Sequence, residues 1–186
     1  MAALKIAKLG NPILRQIAKP VDLNELTAPN SEIQVLIDDM VDTMHKEGGV
    51  GLAAPQVSRS LQIAVIESFD NKRYADRPDI SLTTLVNPEI IEYSEEQVFG
   101  WESCLSLIDF RGLVPRSKTV TVEAYDRRGE KKIIEAEGFL AVVLQHEIDH
   151  LNGMVFLDRM PDLAKLSYEK EFETYWVDKP EELVEA

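Results

Sequence analysis

Gln145-His146-Glu147-Ile148-Asp149-His150 is the stretch around which this chain is organised. It lies within Gly138 to Asn152, which reads as a helix stopped by Gly153. Phe139, Ala141, Val142, Val143 and Leu144 leave its first turns apolar nearly all round, so burial is expected. Four residues make about one helical turn, so the His146 and His150 imidazoles project from one face. At about 100° per residue, Phe139, Val143, His146 and His150 share an arc roughly 60° wide, with Glu147 beside it. Two imidazoles one turn apart can close on a single transition metal, and an adjacent carboxylate can handle the proton of an activated water. Without such a partner, three polar groups on a buried apolar helix would be costly.

Two histidines leave a tetrahedral catalytic site one protein ligand short. The single cysteine, Cys104, stands in Trp101-Glu102-Ser103-Cys104-Leu105-Ser106. It rules out an internal disulfide, suits a reducing compartment, and as thiolate is the candidate third ligand. A thermolysin-like site is the alternative. There a glutamate about 20 residues past the second histidine completes the set, and Glu169 and Glu171 fall near that distance. With Glu173 they form an acid-rich run that also reads as a solvated face.

The rest of the chain frames this helix. Its 186 residues, 45% hydrophobic and 28% charged, suit one domain over 1–186 with a sizeable core. A net charge of −13 argues against specific nucleic-acid binding. No apolar run approaches the roughly 20 residues of a membrane span, and Met1 to Leu9 lacks a secretory pattern. A cytoplasmic location is expected, or an organellar one had a transit peptide been removed. Asn11-Pro12 opens a short helix to about Ala18. Ser31 and Gln34 form a capping-box pattern before a helix carrying Ile33, Leu36, Ile37, Met40, Val41 and Met44, stopped by Gly48-Gly49. Leu61 to Ile66 and Thr83 to Val86 read as strands, and Pro88 to Val98 as an extended or hairpin region. Lys118 to Tyr125 alternates and turns at Arg128-Gly129 into Lys131 to Ala136. A last helix follows Pro161 to about Trp176, with Tyr168, Phe172, Tyr175 and Trp176 on one face, to pack on the core in preference to a partner. Beyond Pro180 a frayed acidic tail is expected. Strands in the middle with helices around them make an α+β domain.

Gly49-Val50-Gly51-Leu52-Ala53-Ala54-Pro55-Gln56 follows the first strong helix. Its glycines let backbone approach a ligand closely, but the loop lacks the Lys-Ser or Lys-Thr sequel of a phosphate loop. Taken alone it reads as a helix stop and tight turn. In order and spacing, Gly49 to Gln56, Glu102 to Ser106 and Gln145 to His150 closely resemble the three signature segments of peptide deformylases. The likeness runs from Asn11-Pro12 through Leu113-Val114-Pro115-Arg116 to Gly153.

That resemblance implies an α+β fold with antiparallel sheets packed around a central metal-bearing helix, and a C-terminal helix. It implies metal-dependent hydrolysis of the formyl group from the formyl-methionine end of nascent polypeptides, releasing formate. Cys104, His146 and His150 would hold one divalent ion: Fe²⁺ by family habit, with Zn²⁺, Ni²⁺ or Co²⁺ suiting the same ligands. Glu147 would be the acid/base, and Gln56 and the Leu105 backbone N–H would bind the oxyanion. Val50, Gly51, Phe139, Val142 and Val143 would receive the substrate. Apart from the resemblance, the apolar setting of Glu102 and Arg116 suggests a pair supporting the cysteine loop, with an ordinary exposed ion pair as the alternative. Two departures stand out. Ser103 replaces the family's usual glycine, and Leu107-Ile108 stand where a proline commonly follows, both where substrate is expected to pair. Nascent formyl-methionyl peptides as substrates imply association with the ribosome. The acids Glu169, Glu171, Glu173, Asp178, Glu181, Glu182 and Glu185 argue against docking there through a basic C-terminal helix. A zinc endopeptidase and a non-catalytic metal-stabilised domain are the rival classes. The first needs Glu169 or Glu171 at the metal; the second has no need of Glu147.

Overall fold

The computed structural model describes residues 3–68 and 78–177. In chain order the elements are α1 (Leu23–Thr27), α2 (Glu32–Lys46), β1 (Gly51–Ala53), β2 (Ile63–Ser68), β3 (Ile80–Tyr93), β4 (Gln97–Glu102), β5 (Phe110–Ser117), β6 (Thr119–Tyr125), β7 (Lys131–Glu137), α3 (Phe139–Leu151), β8 (Leu166–Tyr168) and α4 (Glu169–Tyr175). The strands form two antiparallel sheets, one ordered β1-β2-β3-β6-β7 and one ordered β4-β5-β8. This is the α+β architecture the sequence suggested.

Strand β2 explains why the larger sheet needs a helix on each face. Ile63 and Val65 join Leu52 and Val86 against Ile37, Met40 and Met44 of α2. The intervening Ala64 and Ile66 join Ala53 and Leu85 in the cluster that holds Ala141, Leu144 and Ile148 of α3. Period-2 alternation thus divides one strand between two cores. Val120, Val122 and Ala124 of β6 face α3, as their alternation predicts. A third cluster, including Cys104, Leu107, Val114 and Phe156, lies beneath the smaller sheet. The Gln145 amide of α3 brackets Ser117 at the end of β5: it accepts from the Ser117 N–H at 3.1 Å and donates to its carbonyl at 2.9 Å. Helix α3 therefore touches both sheets.

Helix boundaries differ where long-range bonds compete. The Ser31 side chain caps α2 by accepting from the Ile33 N–H, but Gln34 does not return the bond. Its amide donates to Leu26 O and Arg127 O and accepts from Arg127 Nε, so both its ends are engaged elsewhere. The helix expected from Asn11-Pro12 is a 3-10 turn, Pro12–Arg15, because the Ala18 N–H leaves to bond Leu151 O at 2.8 Å. Of the two readings of Pro88 to Val98 the extended one holds and the hairpin does not: β3 continues to Tyr93 and the chain crosses into β4 of the other sheet.

The last helix is shorter than expected. A 3-10 turn (Leu163–Lys165) and β8 precede α4, because Leu166 to Tyr168 pairs with the β5 edge from Gly112 to Phe110. Tyr168 therefore stacks on Phe110, and Tyr175 is exposed. Only Phe172 and Trp176 pack inward, on Trp101 at 5.0 and 5.3 Å between ring centroids. The expected acidic tail beyond Pro180 lies outside the described residues. Among the described residues no helix is long and apolar enough to cross a membrane.

Candidate metal centre

Helix α3 delivers both imidazoles from one face, their centroids 5.0 Å apart and their planes at 78°. Gly153 ends the helix run with φ +73°, and a Cβ there would lie 2.9 Å from the Arg15 backbone, so glycine is required twice over. Cys104 follows β4 in extended conformation and caps the 3-10 turn Leu105–Leu107. Its Sγ lies 3.2 Å from His150 Nε2. The donor atoms of Cys104, His146 and His150 all fall within 4.8 Å of one another, the one cluster of metal-ligating groups found among the described residues. Glu169 is engaged by the Arg111 guanidinium at 2.7 Å, and neither it nor Glu171 joins the cluster. The thermolysin-like ligand set is not assembled.

The donors fit a divalent ion. Burial pushes the Cys104 thiol up, but the His150 charge and hydrogen bonds with both histidines outweigh it and hold the thiol well below its ordinary range. Burial pushes His146 down, yet hydrogen bonds to Cys104 and Glu102 hold it well above. A thiolate facing an imidazolium is what a cation displaces, with loss of the ring proton. The His146 Nδ1 lies 2.8 Å from Glu102 Oε2, which fixes the ring and leaves Nε2 toward the sulfur side. Glu102 is itself clasped by Arg116, at 2.7 Å from Nε and 3.0 Å from Nη2. Arg116 also donates to Asp149 at 2.6 Å, and Asp149 accepts from Arg159 as well. Burial pushes Glu102 up, but hydrogen bonds from His146 and Arg116 bring it down to about 2.

Glu147 has a different setting. It is 4% exposed, and its Oε2 has no hydrogen-bond partner in the protein. Burial pushes its carboxyl up to about 7. Strand β1 passes so close that a Cβ on Gly51 would lie 2.2 Å from Glu147 Oε1. Gln56 comes from the 3-10 turn Ala54–Val57; its Oε1 accepts the Ala53 N–H at 2.8 Å, which aims Nε2 at Cys104 Sγ and Ser106 Oγ, 3.4 and 3.3 Å away.

These groups open on a cavity of about 320 Å³ lined by Val50, Gly51, Gln56, Leu105, Phe139, Val142, Val143, His146 and Glu147 among others. Every site residue named from the sequence except His150 borders it, and His150 lies directly behind Cys104. Of the two departures, Ser103 lines the cavity, whereas Leu107 is buried beneath the smaller sheet and Ile108 is absent from the lining. A cavity of about 740 Å³ elsewhere, bordered by Leu26, Thr83, Tyr125 and Arg128, holds none of this chemistry. Sequence reading passed over Asp149 and Arg159. An acid on an otherwise buried helix was the available signal for Asp149; nothing local marks Arg159.

Comparison with known proteins agrees with this geometry. The family model of polypeptide deformylase matches residues 3–166. The chain is 41% identical over 170 residues to the peptide deformylase 2 of a Nostoc species, covering 91% of this chain and 93% of that one. It is 47% identical over 160 residues to the peptide deformylase of Heliobacterium modesticaldum, covering 86% and 95%. Among solved structures it resembles the class I type b peptide deformylase of Acinetobacter baumannii with Met-Ala-Ser bound. There the TM-score is 0.80 and the identity 43%, over 86% of this chain and 99% of the other.

Proposed function

Because this chain belongs to the polypeptide deformylase family, we propose that Cys104, His146 and His150 hold its divalent ion and that Glu147 moves the proton of the reaction. The protein is a metal-dependent hydrolase that removes the N-formyl group from the formyl-methionine end of nascent polypeptides and releases formate. A divalent ion bound by such donors supplies Lewis-acid chemistry, lowering the pKa of water and polarising a carbonyl oxygen. Glu147 takes a proton from the attacking water and returns it to the departing amine. Its carboxyl, buried and with one oxygen free of any partner in the protein, is placed to do both. Gln56 Nε2 and the Leu105 N–H donate to the formyl oxygen as charge builds there. Val50, Phe139, Val142 and Val143 receive the methionine side chain, and the Gly51 backbone flanks the substrate. The Acinetobacter relative solved with Met-Ala-Ser bound supports a methionine-headed peptide as the occupant of this cavity.

The reading rests on one observation: three donor atoms within 4.8 Å of one another, beside a buried carboxyl. Its test is Cys104→Ser, prepared anaerobically, with metal analysis and a formyl-methionyl peptide assay. Both the ion and turnover should be lost; full metal content with undiminished turnover sinks the ligand set. Parallel assay on unblocked peptides addresses the peptidase class.

A thiolate with two imidazoles suits several divalent ions, and we take Fe²⁺ as native, with Zn²⁺, Ni²⁺ or Co²⁺ able to replace it. We read residues 1–186 as one catalytic domain, supported by the family match over 3–166 and by α3 bridging both sheets. From the nascent peptides on which it acts we infer a cytoplasmic or organellar location and work beside the ribosome. Helix α4, carrying Glu169, Glu171 and Glu173, is ill suited to docking on RNA.

A further inference from the structure

Three consecutive residues near the start of the chain hydrogen-bond to the two loops that carry the oxyanion donors. The Ala7 N–H donates to Gln56 O at 2.7 Å, the Leu9 N–H to Ser106 O at 3.0 Å, and Lys8 Nζ to Leu105 O at 2.8 Å. This strap is anchored by the buried side chains of Ile6 and Ala7, and by the Leu4 N–H donating to Thr43 Oγ1 of α2 at 2.9 Å. Its two backbone bonds tie the Gln56 turn to the cysteine loop. The lysine bond has a different consequence. The peptide group joining Leu105 to Ser106 accepts the ammonium at its oxygen and donates through the Ser106 N–H to Cys104 Sγ, 3.4 Å away. A cation on the oxygen end polarises an amide and makes its N–H a stronger donor.

We propose that Lys8 is a positioning residue that holds the Leu105–Ser106 peptide and, through it, draws charge from the Cys104 sulfur. The inference rests on Cys104 being a metal ligand. A thiolate relieved of charge would donate less to an ion held there and leave it the stronger Lewis acid. Hydrogen bonds to ligating sulfurs tune metal centres in the same way elsewhere. Lys8 does not border the substrate cavity, so its effect falls on kcat rather than KM.

The test uses full-length protein loaded with Co²⁺, whose sulfur-to-cobalt charge-transfer absorption reports on the thiolate, together with steady-state kinetics. Lys8→Met keeps the length of the side chain and removes its charge. It should move the band to lower energy and reduce kcat by about tenfold, with KM changed less than about twofold. Lys8→Arg should restore both. A wild-type protein without the band overturns the ligand assignment and this inference with it. A wild-type band that Lys8→Met leaves unmoved, in a protein with native circular dichroism, overturns the inference alone, whatever the melting temperature. Equal loss in Lys8→Arg and Lys8→Met would also overturn it.

Discussion

His146 separates two differently built neighbourhoods. Toward the smaller sheet, Glu102, Arg116, Asp149 and Arg159 form an unbroken chain of ion pairs with both acids held at two oxygens. Toward β1, the equally buried Glu147 leaves one oxygen without a partner. The chemistry of the two acids is identical, and their surroundings drive them apart, one down to about 2 and the other up to about 7. A saturated network holds geometry, because removing its central Arg116 would leave buried acids short of a counter-charge. An unsatisfied buried carboxyl is costly and is retained where a proton has to be moved. On the proposed mechanism, support and reaction lie on opposite sides of one imidazole.

Substitutions can break that contrast. The largest effect is expected for Glu147→Gln, which is near-isosteric and cannot accept the proton. It should lower kcat by about 10³-fold or more with metal content unchanged, read by turnover of formyl-methionyl peptide and elemental analysis. Gly51→Ala tests the same side by geometry alone. The added Cβ, built 2.2 Å from Glu147 Oε1, must push the carboxylate aside. A loss of about 100-fold in kcat is expected, with the ion retained; unaltered turnover would mean that Glu147 needs no fixed place. On the supporting side, Glu102→Gln should weaken metal binding by about 10- to 100-fold, measured by chelator competition.

A pH series on chelated protein sharpens the comparison with the smallest effect. Glu102 titrates below its ordinary value of 4.5 in the fold, so its stabilisation is present above about 4.5 and lost as pH falls through about 2. Glu147 titrates above its ordinary value, so its contribution is full below about 4.5 and lost as pH rises through about 7. Each slope is at most about 1.4 kcal/mol per pH unit for one group. Denaturant melts should show Glu147→Gln flattening the neutral limb and Glu102→Gln the acid limb. Identical curves for the two variants would erase the distinction.

What could be read from sequence was whatever recurs within a turn or a strand. His146 and His150 share a face because a helix repeats every 3.6 residues, and β6 faces α3 with alternate residues because a strand repeats every two. The elements passed over are those whose reason lies far along the chain. The strand β8 forms because the β5 edge lies beside it, and Gln34 abandons its cap because Arg127 is within reach. The partnership of Glu102 with Arg116 was suggested by their otherwise apolar setting. Its extension through Asp149 to Arg159 was not, since no local periodicity joins β4, β5, α3 and the turn after it.

The sequence by itself determined the candidate donors (a lone thiol and two imidazoles), the one-turn spacing of the imidazoles and the apolar face on which they stand, because backbone periodicity and side-chain chemistry suffice for each. Tertiary structure alone decided that Glu169 is drawn to Arg111, that Gly51 makes room for Glu147, and that Lys8 reaches the cysteine loop. Those outcomes depend on which segments the two sheets bring within a few ångströms of α3. That is settled by burial of three hydrophobic clusters at once, and by no stretch of chain acting alone.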